Sequence, residues 1–318
     1  MKIQLLLENI GPITKAKVNL KNLSIIVGAN SIGKSLISKS TYITLRGLNL
    51  DDDSFTELIN AEVYKPQLYS DSENISVSLL IDSDERLNLT FNPLRIKSTL
   101  SNEIKCVTYV GGPLIVNEPL ISKCEIDHDN DLKCKLINKV PITNKADLEK
   151  IAELNLLFDE VIEEHKLVYI DETNSLGLQL SNKFILSMNK APNGIKSFLI
   201  LKELLNNGYL QEDMVLILDE PEILSHASWQ LIYAHIISKI IKYFKVKVMI
   251  NTCSLYFIEA LEMYSKSYEL NTDYYLGEKL ENGYTFTNQN NNLQLIYSTL
   301  LEPYEKLDDL KLYYTEGK

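Results

Sequence analysis

Apolar and polar residues alternate through the opening of the chain, in "KIQLLLENI", "AKVNL" and "LSIIV", and this period of two predicts three strands. After Lys34 the period lengthens to that of a helix over "SLISKSTYITLRGL". Glu73–Phe91 reads as two strands around an Asp/Ser turn, and Cys106–Val116 as another strand ending at a Gly-Gly-Pro break. The pattern changes from Asn117 to Asn189. There Ala146–His165 predicts an amphipathic helix with Ile151, Leu154, Phe158, Val161 and Ile162 on one side, and "KLVYIDETNSLGLQL" predicts a hairpin. A glycine turn and helix follow over Lys190–Gly208, then an apolar strand closing on acids over Met214–Glu222. The next helix carries Trp229, Ile232, Tyr233, Ile236, Ile237 and Ile240 at core spacing. Val246–Ser254 is a further strand and "LYFIEALEMY" a further helix. A hairpin turning at Asn282-Gly283 and a short acidic helical stretch complete the pattern.

Strands alternating with helices predict an α/β fold. With 318 residues and 45% apolar content the chain can bury a large core, as one large domain or two small ones. Residues 117–189 are expected to form a helical and hairpin insertion, a lobe on the core. No apolar run approaches the roughly 20 residues that cross a bilayer, and the opening segment lacks a signal-peptide cleavage site, so a cytoplasmic location with no membrane contact is expected. Cys106, Cys124, Cys134 and Cys253 form no CxxC pair and are read as reduced thiols. Cys124, His128 and Cys134 lack a fourth ligand for zinc. The net charge of −11 argues against a chain that coats nucleic acid. The basic runs Lys239–Lys247 and Lys133–Lys145 are read as solvated helix faces or loops, so nucleic acid is left as a contact only within an assembled complex.

The strongest chemical signal is Gly28-Ala29-Asn30-Ser31-Ile32-Gly33-Lys34-Ser35, which satisfies GxxxxGK[ST] between a predicted strand and a predicted helix. Such a loop turns successive backbone N–H groups toward phosphate oxygens, and the helix start adds its positive end. Lys34 is expected on the β- and γ-phosphates of ATP, and Ser35 on Mg²⁺. The partner signal is "VLILDE". It places Asp219 at the carboxyl end of a buried strand, to hold the Mg²⁺ shell with Ser35, and Glu220 beside it to orient and polarise the attacking water.

The order of phosphate loop, insertion, "PNGIKS", "LILDEPE" and "NTCS" resembles an ABC-type ATPase head, a P-loop NTPase with a mixed β core. The resemblance is to the SMC/RecF-like branch, and within it to the AAA_15/AAA_21-type proteins related to the overcoming-lysogenization-defect (OLD) nucleases. It rests on Asn9-Ile10-Gly11-Pro12-Ile13 before the loop and on the segment Asp219-Glu220-Pro221-Glu222-Ile223-Leu224-Ser225-His226-Ala227-Ser228-Trp229-Gln230. It implies one ABC-type domain over 1–318 and a homodimer that sandwiches ATP. Asn193, Gly194 and Lys196 stand where the family's signature turn meets the partner's γ-phosphate, with Asn193 in the place of serine. The family's switch histidine, in a Thr-His-Ser sequence, is replaced by Cys253 in Thr252-Cys253-Ser254, which implies slow hydrolysis. His226 is read either as a neighbour of the dimer interface or as a buried or capping histidine.

The stretch after Ser254 is too short for the TOPRIM nuclease domain of OLD proteins, and the insertion lacks the heptads of a long coiled coil. The expectation is therefore an ATPase that dimerises on ATP and gates a separate effector, by analogy in prokaryotic phage defence. A hydrolysis-poor ATP-loaded scaffold and a RecF-like DNA-repair ATPase are the alternatives.

Overall fold

The computed structural model of the protein describes residues 1–63, 75–91, 94–99, 103–119, 127–180, 183–223 and 225–316. Glu73, Cys124 and Leu224, named above, lie outside these residues.

The opening alternation forms β1 (Ile3–Ile10), β2 (Ile13–Leu20) and β3 (Leu23–Val27). β1 buries Ile3, Leu5, Leu7 and Ile10, whereas every residue of β3 is buried, as a central parallel strand requires. α1 (Lys34–Gly47) and α2 (Asp52–Val63) follow, then β4 (Ile75–Ile81), β5 (Asp84–Phe91), β6 (Arg95–Ser98) and β7 (Cys106–Val110). Within the expected insertion lie α3 (His128–Ile137), α4 (Lys145–Ile162) and a small antiparallel sheet of β8 (Lys166–Ile170), β9 (Ser175–Gln179) and β10 (Ile185–Ser187). The chain continues through α5 (Asn193–Asn206), β11 (Met214–Asp219), α6 (Ala227–Phe244), β12 (Lys247–Thr252) and α7 (Leu255–Ser267). It closes with β13 (Thr272–Leu280), β14 (Gly283–Asn288) and α8 (Leu293–Glu316).

The large sheet has the order β6-β5-β4-β1-β2-β14-β13-β3-β12-β11-β7. β13, β3, β12, β11 and β7 run parallel, and β2, β1, β4, β5 and β6 form an antiparallel wing. Alternate residues of the parallel strands feed two cores. Ile26, Ile217 and Met249 pack with α1 and α2 on one face. Val27, Leu218 and Ile250 pack with α4, α5, α6 and α7 on the other. The chain is thus a mixed α/β fold in three layers.

Several expectations shift. The expected Met214–Glu222 strand stops at Asp219, because Glu220 takes a left-handed φ of 48°. The hairpin turns at Glu281-Asn282. Gly283 (φ 135°) begins β14 instead, since a Cβ there would meet Pro12 O at 2.6 Å. The acidic tail is a 24-residue helix, α8, of which Ile296 is buried in the core while residues 301–315 are all exposed. α2 and α3 were not legible as helices, although Asp51 accepts the Ser54 N–H and Asp127 the Asn130 N–H at their starts.

Cys134 is disulfide-bonded, against the expectation of reduced thiols, while Cys106 and Cys253 are free. Among the described residues no group of side chains could hold a metal ion by clustering of His, Cys, Asp and Glu. No described helix is long and apolar enough to cross a membrane.

The Lys133–Lys145 run also differs from the solvated face expected of it, because Lys133 and Lys135 are buried. Lys135 donates to Val107 O and to Asp131 Oδ2, each at 2.6 Å, and Arg46 of α1 meets Asp131 Oδ1 at 2.5 Å. Tyr42 also donates to Asp131 Oδ2, at 3.3 Å. One buried carboxylate therefore ties α1 to α3, against the edge of β7.

Removing one partner from a buried ion network strands the opposite charges. Asp131→Ala is accordingly expected to cost about 3–5 kcal/mol in denaturant unfolding; a loss below about 1 kcal/mol, the range of an exposed pair, would refute the network's role.

Candidate functional site

Parallel register gathers the candidate residues. Val27 pairs with Thr252, Asn251 with Asp219, and Leu218 with Val110, so the carboxyl ends of β3, β12, β11 and β7 share one edge of the sheet. Open α/β sheets bind ligands at that edge. A cleft of about 670 Å³ opens there, lined by Asn30, Ser31, Gly33, Lys34 and Ser35 of the loop, by Asp219 and Glu220, and by Gly111 and Gly112 after β7.

The loop's shape is set by sterics. Gly33, at φ 107°, stands just before α1, and a Cβ there would lie 2.6 Å from Ile13 Cγ1. Ile32 is 3% exposed and anchors the loop from below: a Cβ on either Gly28 or Gly277 of β13 would approach its Cδ1 to 2.3 Å. Ala29 lies between Gly28 and the cleft residues, and its carbonyl faces the loop lysine. Lys34 Nζ donates to Gly28 O and Ala29 O, each at 2.9 Å, and lies 3.4 Å from Glu220 Oε1. The lysine is buried and the glutamate partly exposed to the cleft.

The two acids diverge because Glu220 is left-handed. Asp219 points inward, accepting from Tyr109 Oη at 2.8 Å and from Asn251 Nδ2 at 2.9 Å. Glu220 turns to Lys34, while its own N–H donates to Asn251 O at 3.0 Å. Burial, followed by the Asp219 carboxylate, pushes the Tyr109 hydroxyl well above its ordinary range, so it remains a donor. Ser35, exposed, and Asp219 line the same cleft. A hydroxyl and a carboxylate are hard oxygen donors of the kind Mg²⁺ selects.

Behind the pair, Thr252 Oγ1 donates to the buried Glu222 Oε1 and accepts the Ser254 N–H at 3.0 Å. Ser254 Oγ donates to Gln230 Oε1 at 2.9 Å. Cys253 is exposed on this braced turn. Its thiol is pushed up by burial of the sulfur and then by Glu220 and Glu222, against Lys34. His226 caps α6, its Nδ1 accepting from Ser228 N at 3.3 Å, which is the capping alternative.

Asn193 and Gly194 open α5, and no residue lining the cleft belongs to that helix. Lys196 Nζ donates to Asn193 Oδ1 at 2.8 Å. Within one chain, then, the structure brings the loop, Asp219 and Glu220 together and leaves Asn193 and Gly194 apart from them. Tyr109, Asn251, Glu222 and the Gly111-Gly112 pair were missed as site residues. Only the position of Asn251 and Thr252 at the end of an apolar strand beside "LILDEPE" could have signalled their part.

No known protein family matches the sequence, and no curated protein is similar to it. Solved structures are similar in fold. The Smc head domain with a coiled coil and joint from Pyrococcus yayanosii aligns over 96% of this chain and 100% of its own, with a TM-score of 0.56 at 10% identity. The Smc head bound to the C-terminal winged-helix domain of ScpA aligns over 92% and 98%, with a TM-score of 0.55 at 11% identity. The Smc head with an extended coiled coil from Pyrococcus furiosus aligns over 98% and 100%, with a TM-score of 0.51 at 12% identity. The chain has the fold of an Smc head domain. In this head fold the cleft described above lies at the carboxyl edge of the parallel strands.

Burial raises the Glu222 carboxyl to about 7, with Thr252 pulling it down and Glu220 pushing it up. The folded state therefore holds a proton there that the unfolded chain releases near pH 4.5. Stability is lost as pH rises from that value through 7. Removing the charge with Glu222→Gln should leave a protein that gains on wild type by up to about 3 kcal/mol between pH 5 and 8 in urea unfolding. Parallel stability–pH curves for the two proteins would overturn this account.

Proposed function

We propose that the protein is an ATP-binding ATPase of the ABC type that works as a homodimer with ATP at its interface. The observation that carries this reading is the convergence of the loop, Asp219 and Glu220 on one cleft, with Lys34 placed between the loop carbonyls and Glu220. The N–H groups of residues 28–35 and the Lys34 ammonium would take the phosphates. Ser35 and Asp219 would hold Mg²⁺, with Tyr109 and Asn251 fixing the aspartate's orientation. The ion, when bound, supplies positive charge to the phosphate oxygens. Glu220 would orient and polarise the attacking water once Lys34 turns to the phosphates. Asn193 and Gly194, remote from their own chain's cleft, would serve the partner's, so that nucleotide state governs assembly and gates a separate effector. Prokaryotic antiviral defence is the setting that the resemblance to OLD-related proteins suggests. A second reading, an ATP-loaded scaffold with little turnover, is favoured by the neutral thiol of Cys253 in the histidine's place.

ATP turnover and solution mass of wild type and Glu220→Gln test these readings together. The substitution should lower turnover by about a hundredfold or more and trap an ATP-bound dimer. Wild-type turnover in the variant would overturn Glu220's role, and negligible turnover in both proteins with ATP retained would select the scaffold. Stimulation by duplex DNA would instead favour the repair ATPase.

Cys253→His restores a donor of positive charge and should raise turnover by about tenfold or more. An unchanged rate, with ATP affinity intact, would show that the cysteine is not what limits hydrolysis.

A further inference from the structure

The edge of the sheet opposite the loop holds a second cleft, of about 530 Å³. It forms where β12, β3 and β13 begin: Val248 and Thr272 both pair with Leu23, so Lys247, Asn22 and Asn271 stand side by side. Two bonds fix this row, Val248 N to Asn22 O at 2.9 Å and Asn271 N to Asn22 Oδ1 at 3.3 Å. Lys2, just before β1, and Lys21, after β2, also line it, beside Met1, Leu80 and Ser83, with Gln4 and Asn19 joined at 2.6 Å.

In a chain of net charge −11, no carboxylate lines this cleft among the described residues, and none is ion-paired with Lys2, Lys21 or Lys247. The acids that face it are already engaged. Asp82 accepts the Lys2 backbone N–H at 2.7 Å, and Asp213 pairs with Lys105 at 3.3 Å. Lys247 is half-buried, and its ammonium is held below its ordinary range by burial and then by Lys21, with Asp213 opposing. Like charges gathered in a partly desolvated cleft are unfavourable unless an anion joins them. Ammonium point charges flanked by carboxamide donors suit phosphate oxygens.

We propose that the cleft between Lys2, Lys21 and Lys247 binds a phosphate group of a ligand other than the nucleotide at the loop. The site stands at the far edge of the sheet and does not depend on the ATPase reading.

The test uses the full chain carrying Lys34→Ala, which silences the loop, with and without Lys21→Gln and Lys247→Gln. Calorimetric titration with inorganic phosphate should show binding that the two added substitutions weaken by about tenfold or more, as loss of charged hydrogen bonds predicts. Phosphate should also shield Lys21 and Lys247 from reductive methylation, relative to chloride at equal ionic strength. Unchanged affinity in the substituted protein, or equal methylation with and without phosphate, would overturn the site. Adenosine monophosphate and a short single-stranded oligonucleotide then separate the sources. A mononucleotide that binds as well as the oligonucleotide identifies a small phosphorylated ligand. An oligonucleotide that binds far more tightly, with a steep loss in salt, identifies a polynucleotide backbone.

Discussion

The arrangement of the molecule depends on in-register parallel pairing of β3, β12, β11 and β7. Parallel strands need helical crossovers and must be covered on both faces, so this pairing dictates the three layers and the wholly buried β3 and β11. It also leaves the chain no choice about where polar backbone emerges. The turn after each strand opens at the same edge, and the loop, Asp219 and the Asn251–Ser254 turn become neighbours although more than 180 residues separate the first from the second. A slip of one residue in any pair would turn the apolar set of that strand to the wrong face.

The end of β12 then acts as a clamp on the acids. Asn251 uses its side chain on Asp219 and its carbonyl on the Glu220 N–H, and Thr252 engages Glu222. Three consecutive polar contacts from one strand end hold a segment whose first acid closes a strand and whose second is left-handed. A non-glycine residue in that conformation is uncommon and is maintained only where its surroundings over-determine it. The tyrosine on the other side, Tyr109, completes the orientation of Asp219 and places the edge strand β7, with α3 packed on it, in direct contact with the candidate metal ligand.

Much of this was legible in the sequence where chemistry and periodicity agree. The loop, the apolar strand closing on Asp219 and the amphipathic α6 follow from local rules, and the structure places them as such. α3 escaped because its burial is ionic: Asp131, Lys133 and Lys135 look like a solvated run until Arg46 and Val107, far away in the chain, are brought against them. Gly277 escaped, and Gly283 was read as a turn residue, for a related reason. Their significance lies in what approaches them, Ile32 and Pro12, and not in their own neighbours in sequence. Tyr109 and Asn251 carry no motif, since a tyrosine or an asparagine near a strand end is ordinary until an aspartate is found within reach.

The lysine of the loop has one consequence that belongs to timing. Its ammonium is satisfied within the chain by two carbonyls and a carboxylate. On the proposed reading, a phosphate arriving at the loop enters by exchange, taking over contacts that the protein had been making with itself. On the same reading, the glutamate that loses its cation is the one that would orient the attacking water. Occupancy and readiness would then be a single event, because one ammonium serves both the carboxylate and the phosphate.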